Sequence, residues 1–310
     1  MKEVTMIYDV IIIGSGPAGL SAAIYAQRAE LTNIVIEKTG MSGGQIINTY
    51  EVDNYPGTPG ISGFDLSVKF REHCDKLNTT FINGEVVEFK LEDDIKVVIL
   101  DDGTRYQAKT IIIASGGLPR HLNVPGEERL SGLGVSYCAT CDGAFFKNKT
   151  VAVVGGGDVA VEDAIFLSRI CERVYVIHRR DEFRAIKSSV NKLLKNDNVT
   201  VLWDSVVESI NGTETVDSLD IKNVKTGETS NLKVEGVFIA VGYIPNSQIF
   251  KDIVATDESG YIIAGESCET NVPGIFAAGD IRTKDLRQII TAASDGANAI
   301  TAVERYLNQN

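Results

Sequence analysis

One pattern of apolar and polar positions occurs twice along the chain. Tyr8-Asp9-Val10-Ile11-Ile12-Ile13 is an almost unbroken apolar run, as a strand buried on both faces would have, and it stops at Gly14-Ser15-Gly16-Pro17-Ala18-Gly19. The pattern predicts a helix from Leu20 to about Arg28 and a second strand at Asn33-Ile34-Val35-Ile36, with Glu37 at its carboxyl end. The same grammar returns in Thr150-Val151-Ala152-Val153-Val154, Gly155-Gly156-Gly157-Asp158-Val159-Ala160, a helical stretch through Cys171 and a strand Val174-Tyr175-Val176-Ile177. Each copy is a βαβ unit. Gly14 to Glu37 and Gly155 to His178 both span 23 positions, so the tips of the two second strands correspond. One copy has Glu37 there; the other has His178-Arg179-Arg180.

Apolar strands ending in small residues recur at 110–116, 236–242 and 274–280. Glycine beside proline at 117–119 and 243–246, with no apolar periodicity across either place, marks where the chain crosses between domains. The fold class this predicts is α/β, with two Rossmann-like dinucleotide-binding domains, the second inserted into the first. Residues 1–117 and 247–310 build the first domain and 118–246 the inserted one. The stretches 84–110 and 199–235 alternate apolar and polar residues around turns at Asp101-Asp102-Gly103 and Lys225-Thr226-Gly227, which predicts antiparallel ribbons appended to each unit. A last helix is expected over Arg287–Leu307, with Ile289, Ala293, Ala297, Ile300 and Val303 at helical spacing.

Composition narrows the class. The 310 residues are 44% hydrophobic and 23% charged, enough apolar material for two cores and too much for a disordered chain. A formal charge of −12 leaves no basic field for a nucleic-acid backbone. No apolar stretch approaches the roughly 18 residues of a membrane span, so the expectation is a soluble protein of the cytoplasm.

The chemistry follows from the turns. A glycine-rich turn after a strand lets the backbone approach a pyrophosphate, and the next helix aims its N–H groups and positive dipole end at that anion. Glu37 would hold the two ribose hydroxyls of an adenosine lacking a 2′-phosphate. In the second copy Arg179 and Arg180, with Arg184 one helical turn further on, replace the acid and select a 2′-phosphorylated nucleotide, NADPH. One cofactor is then a resident group to be reduced and the other a visiting hydride donor, a division that FAD and NADPH fit.

Five cysteines, an odd number, do not make a secreted framework. Cys138-Ala139-Thr140-Cys141 has the spacing of an exchangeable dithiol, and no second pair or close histidine completes a tetrahedral zinc site, so no metal is expected. Cys74 and Cys171 follow apolar residues at core spacing; Cys268 has no partner in view. His73 reads as a surface helix residue and His121 as a loop residue.

With these motifs in place the chain resembles the low-molecular-weight thioredoxin reductases over nearly its whole length. The likeness rests on Gly14–Gly19, Gly43-Gly44-Gln45, Asn54-Tyr55-Pro56-Gly57, Cys138-Ala139-Thr140-Cys141-Asp142-Gly143, the second glycine turn, His178-Arg179-Arg180 with Arg184, and Ala277-Ala278-Gly279-Asp280 followed by Arg287-Gln288. The resemblance implies a homodimer holding FAD tightly at Gly14, Ser15, Gly16, Pro17, Ala18, Gly19, Glu37 and Lys38. It extends that site to Gly44, Gln45, Asn54, Gly116, Gly279, Asp280, Arg287, Gln288 and Ile289, with Asp280 on the ribityl chain and Gln288 beside the ring. NADPH would bind at Gly155, Gly157, Asp158, Val159, Ala160, His178, Arg179, Arg180 and Arg184. Cys141 would face the flavin, Cys138 would attack the disulfide of thioredoxin, and Asp142 would handle the proton.

Glutathione-reductase-like relatives carry two cysteines just after the first glycine pair, whereas Gln45-Ile46-Ile47-Asn48 has none. The dithiol here lies 14 residues before Gly155, inside the inserted domain. Hydride donor and disulfide must therefore reach one flavin in turn, and the family's answer is rotation of that domain between half-reactions. Val159 stands where many relatives have Ser or Thr. Two other readings are kept. One is a ferredoxin-linked reductase or dithiol oxidase; the other is a non-catalytic flavin redox sensor.

Overall fold

The computed structural model describes residues 3–49, 52 and 54–309. In chain order the elements begin with β1 (Glu3–Ile13), α1 (Pro17–Arg28), β2 (Asn33–Glu37), α2 (Gly63–Lys76), β3 (Thr80–Asn83), β4 (Val86–Glu92), β5 (Ile95–Leu100), β6 (Arg105–Ile113) and β7 (Gly117–Pro119). Next come β8 (Val135–Ser136), α3 (Ala139–Asp142), β9 (Thr150–Val154), α4 (Asp158–Leu167), β10 (Arg173–Ile177), α5 (Lys187–Leu193) and β11 (Val199–Leu202). They continue with β12 (Ser205–Asn211), β13 (Ser218–Asn223), β14 (Thr229–Lys233), β15 (Gly236–Ile239), β16 (Tyr243–Pro245), β17 (Ile275–Ala277) and α6 (Ile289–Leu307). The chain divides into two compact units, Met1–Leu118 with Ile244–Asn310 and Pro119–Tyr243. The change-overs lie between Leu118 and Pro119 and between Tyr243 and Ile244, against expected boundaries after 117 and 246. At them β7 and β16 pair as a two-stranded ribbon.

In the first unit the sheet runs β3-β2-β1-β6-β5-β4, with β17 also on β6. β3, β2, β1, β6 and β17 are parallel; β5 and β4 are antiparallel. Alternation across the pleat explains the apolar run of β1. Val10 and Ile12 face α1 and α6, packing on Leu20, Ala23, Ala299 and Val303, while Ile11 and Ile13 face Val98, Ile111, Phe250 and Ile262. The second unit repeats the plan as β11-β10-β9-β15-β8, all parallel. Val151 and Val153 pack on α4, and Ala152 and Val154 pack on the side chains of the β12-β13-β14 sheet.

Several expected boundaries move. α1 begins at Pro17 because proline lacks only a hydrogen bond that the first turn cannot make. α4 stops at Leu167, where the Ser168 hydroxyl donates back to Ile165 O, and Ser168–Cys171 turns instead. The 84–110 ribbon is not an appendage, since β6 continues it into the main sheet. Val199–Leu202 belongs to the parallel sheet, so the second ribbon starts at Ser205. Gln288 is the N-cap of α6 and Arg287 precedes it. Among the described residues no helix is long and apolar enough to cross a membrane.

Candidate active site

The first glycine turn is shaped by close backbone approach. Gly14 has φ +101°, and a Cβ on Gly19 would sit 1.9 Å from Gly14 O, so both positions require glycine. Gly16, by contrast, has nothing within 4 Å of an added Cβ. It caps α1 with no side-chain acceptor, and the first turn carries no acid, so the positive end of the helix opens onto free space. Glu37 ties the turn to the end of β2. One carboxylate oxygen accepts from Ser15 N–H at 2.9 Å and Ser15 Oγ at 2.6 Å; the other accepts from Thr39 N–H and Oγ, both at 3.0 Å. Burial alone would raise its pKa, but the hydrogen bonds from Ser15 and Thr39 outweigh it and hold the carboxyl below its ordinary value. Lys38 instead turns outward to an exposed ion pair with Glu85, 2.7 Å.

Other residues named for this site converge from distant sequence. Asn54 Nδ2 donates to Gln288 Oε1 at 2.8 Å, Gln45 Nε2 donates to Gly117 O, and Gly44 approaches Gly16. Gly116 has φ +61° and its carbonyl accepts from Asn246 N–H. Ile289 packs on the small cluster of Ile46, Val52 and Leu66. Arg287 stacks over Tyr261, 4.0 Å from the ring centroid. Asp280 follows β17, and burial raises its pKa. Its Oδ1 is buried without a hydrogen-bond partner.

In the second unit Gly155 and Gly157 frame the start of α4, and again nothing lies within 4 Å of a Cβ on Gly157. His178 is 5% exposed, with Nε2 3.0 Å from Glu182 O and its ring stacked on Phe183. Burial and the three neighbouring arginines lower its pKa. His178 is thus neutral packing beneath the turn, and a Cβ on Gly156 would meet its ring at 2.1 Å. Arg184 does not lie one helical turn on, because 178–186 is irregular and α5 begins only at Lys187. Backbone bonds strap this loop to the turn instead: Arg184 N–H to Gly156 O at 2.8 Å, and Ile186 N–H to Asp158 Oδ1 at 2.8 Å. Arg179, Arg180 and Arg184 are exposed, and none forms an ion pair among the described residues. Val159 is half exposed and Ala160 is buried in the core.

Cys138 and Cys141 are joined as a disulfide, with Cα atoms 5.3 Å apart, at the start of α3. Ser136, at the end of β8, stands between the pair and Asp142: its hydroxyl donates to Asp142 Oδ2 at 2.6 Å and accepts from Cys138 N–H at 3.1 Å. Burial raises the pKa of Asp142 and the Ser136 bond lowers it, with burial prevailing. The other three thiols are buried and unpaired with one another. Burial lifts Cys74 and Cys268 to about 12 and Cys171 to about 11, which leaves them unreactive.

A family model described as pyridine nucleotide-disulphide oxidoreductase matches residues 8–296. The thioredoxin reductase of Peptoclostridium acidaminophilum is 45% identical over 98% of both chains. The solved thioredoxin reductase of Streptococcus pyogenes is 47% identical, covers 99% of this chain and all of its own, and superposes with a TM-score of 0.86. The chain belongs to the thioredoxin reductase family. A ferredoxin-flavin thioredoxin reductase of Clostridium acetobutylicum is also similar, at 29% identity and a TM-score of 0.53.

Thioredoxin reductases of this type are FAD-binding, NADPH-dependent enzymes, and this chain's residues fit both groups. The unpartnered Asp280 oxygen, the open space at Gly16 and the uncapped start of α1 suit a dinucleotide with hydroxyls and a pyrophosphate. Three exposed arginines without carboxylate partners suit a 2′-phosphate.

Sequence reasoning missed Ser136, and it missed the network behind Gly279. There Asp295 accepts Gly279 N–H at 2.9 Å, Lys284 at 2.9 Å and a bidentate pair from Arg282. A signal existed: Asp295 is an acid on the apolar face of α6, spaced with Ala292 and Ala299. Tyr137 was missed too. Its hydroxyl bonds buried Glu127 and His121, each at 2.8 Å, and its carbonyl accepts from Tyr243.

Proposed function

We propose that this chain reduces oxidised thioredoxin with electrons from NADPH, using FAD and the Cys138–Cys141 pair. The observation that carries the reading is the disulfide itself, placed in the same unit as an arginine-flanked nucleotide turn. Gly14–Gly19, Glu37, Gln45, Asn54, Asp280 and Gln288 would hold FAD, and Gly155–Ala160 with Arg179, Arg180 and Arg184 would hold NADPH. FAD, when bound, would supply the two-electron redox chemistry that links the nicotinamide donor to the Cys138–Cys141 pair. The remaining chemistry belongs to the side chains. Cys138 thiolate attacks one sulfur of the thioredoxin disulfide, and its partner sulfur leaves as a thiolate. Cys141 then attacks Cys138, releasing thioredoxin as a dithiol and restoring the Cys138–Cys141 bond. Asp142 holds the proton exchanged as Cys141 changes state.

Because residues 119–243 contain both the NADPH residues and the dithiol, rotation about the Gly117–Pro119 and Tyr243–Pro245 ribbon would present them to FAD in turn. A homodimer acting in the cytoplasm, where a cycling dithiol stays reducible, completes the proposal. Arg179, Arg180 and Arg184 disfavour the ferredoxin-linked reading, which has no use for a phosphate site.

The deciding experiment is anaerobic titration of the purified protein with NADPH and with NADH, followed by addition of oxidised thioredoxin. NADPH should bleach the flavin at far lower concentration than NADH, and thioredoxin should restore the colour. A colourless protein, or a flavin that NADPH leaves oxidised, defeats the reading.

A further inference from the structure

Ser136 is 5% exposed and its single hydroxyl touches three groups that belong to the redox site. Oγ lies 2.6 Å from Asp142 Oδ2, 3.1 Å from Cys138 N and 3.3 Å from Cys138 O. A serine hydroxyl has one hydrogen to donate and two lone pairs to accept with. One lone pair is taken by Cys138 N–H. The hydrogen can go either to the Asp142 carboxylate or to the Cys138 carbonyl, but not to both.

The choice is set by the proton on Asp142. An ionised carboxylate only accepts, so the Ser136 hydrogen is drawn to it, at the short distance typical of an O–H···O⁻ bond. A protonated Asp142 can itself donate to the free lone pair of Ser136, and the serine hydrogen is then released to Cys138 O. One proton is gained on Asp142; the Ser136–Asp142 hydrogen bond reverses direction, and the serine hydrogen passes to Cys138 O. The backbone N–H and C=O of Cys138 are thereby sensitive to a proton on Asp142, four residues on in sequence.

We propose that Ser136 is a positioning residue that couples the protonation state of Asp142 to the peptide at Cys138, so that proton handling and presentation of the attacking sulfur change together. This deepens the proposed function and rests on Asp142 being the acid of the dithiol step. The titratable groups around Asp142 are few. α4, which packs on α3, carries Asp158, Glu162 and Asp163; the turn Gly143–Phe146 carries none; Cys138 and Cys141 titrate once reduced. Burial and Ser136 are the influences that shift Asp142. Asp163 is pushed up to about 7 by burial and by Glu162, so it needs its own control.

The test is the pH profile with which the NADPH-reduced holoenzyme reduces a small aromatic disulfide, compared for the parent, Asp142→Asn, Ser136→Ala, Ser136→Thr and Asp163→Asn. Flavin content and thermal midpoint serve as fold checks. Removing the serine bond takes away the influence that lowers Asp142, so Ser136→Ala should move the Asp142 limb upward by about one pH unit, the size of one hydrogen bond to a charged group. Ser136→Thr keeps the hydroxyl and should restore the parental midpoint, and Asp163→Asn should leave it in place. If Asp142→Asn abolishes the limb while Ser136→Ala leaves it unmoved, the coupling is wrong and the role of Asp142 survives. If the limb persists in Asp142→Asn, the reading of Asp142 fails and takes the coupling with it. A limb that disappears in Asp163→Asn assigns the proton to α4 and overturns both.

Discussion

Arg282 and Asp295 meet as a buried bidentate pair, Nε to Oδ2 at 2.8 Å and Nη2 to Oδ1 at 2.7 Å. Lys284 and the Gly279 amide share Oδ2, so α6 and the turn leading to Asp280 are fixed by one carboxylate. Removing one partner from such a pair leaves an uncompensated buried charge, which costs about 3–5 kcal/mol. Asp295→Asn should lose that much against denaturant and retain FAD poorly. The pH dependence has a definite sign. Burial would raise the Asp295 pKa, but Arg282 and Lys284 outweigh it and hold it below the ordinary value. The stabilisation is therefore complete above the unfolded pKa of about 4 and fades as pH falls through the folded value. Parent and variant should converge in stability in acid, and a gap of constant size from pH 7 to pH 3 would contradict the assignment.

Gly16 and Gly19 offer a paired test of the first turn. A Cβ on Gly19 collides with Gly14 O at 1.9 Å, so Gly19→Ala must displace backbone and should destabilise the protein by about 1–3 kcal/mol with or without cofactor. A Cβ on Gly16 meets no protein atom. Gly16→Ala should leave the apoprotein melting temperature close to the parent and weaken FAD by about tenfold or more if, as proposed, the pyrophosphate approaches through that space. Reconstitution of apoprotein with FAD, followed by flavin fluorescence, separates the two effects. Equal FAD affinity for parent and Gly16→Ala would remove that space from the site.

The arginines are exposed and their loop is held by backbone bonds, so single substitutions should act on binding and not on folding. Arg184→Ala is expected to raise the KM for NADPH roughly 10- to 100-fold, the effect of one charge-assisted hydrogen bond, while the KM for NADH stays within about twofold. Steady-state kinetics with both nucleotides reads this directly. A parallel rise for NADH would place Arg184 on a part common to both donors.

What the chain reveals before folding is set by the range of the forces involved. The two βαβ units were legible because strands buried on both faces leave continuous apolar runs, and because glycine turns are local geometry. Core placement of Cys74 and Cys171 followed from the same periodicity. Arg184 was placed one helical turn past Arg180, but its loop is irregular because its conformation is dictated by bonds to Gly156 O and Asp158 across the unit. Ser136 left no mark, and Asp295 left only an acid on the apolar face of α6, for a related reason. A serine in a short strand and an acid in a helix gain meaning only when tertiary folding places Asp142 or Arg282 beside them.

The two active-site sulfurs should separate cleanly on substitution. Cys138→Ser leaves Cys141 in place, so NADPH should still reduce the bound flavin at the parental rate. Thioredoxin reduction should fall roughly a thousandfold or more, because the thiolate proposed to open the thioredoxin disulfide is gone and Cys141 is assigned to the flavin side. Cys141→Ser should instead keep an attacking Cys138 that cannot be released, since the resolving thiol is gone, and a mixed disulfide with thioredoxin should accumulate when the proteins are mixed under mild oxidation. Non-reducing electrophoresis followed by mass spectrometry identifies which cysteine carries the adduct. A stable adduct on Cys141 of the Cys138→Ser protein, with none on Cys138 in the reciprocal variant, would reverse the roles of the two thiols while leaving the dithiol chemistry intact.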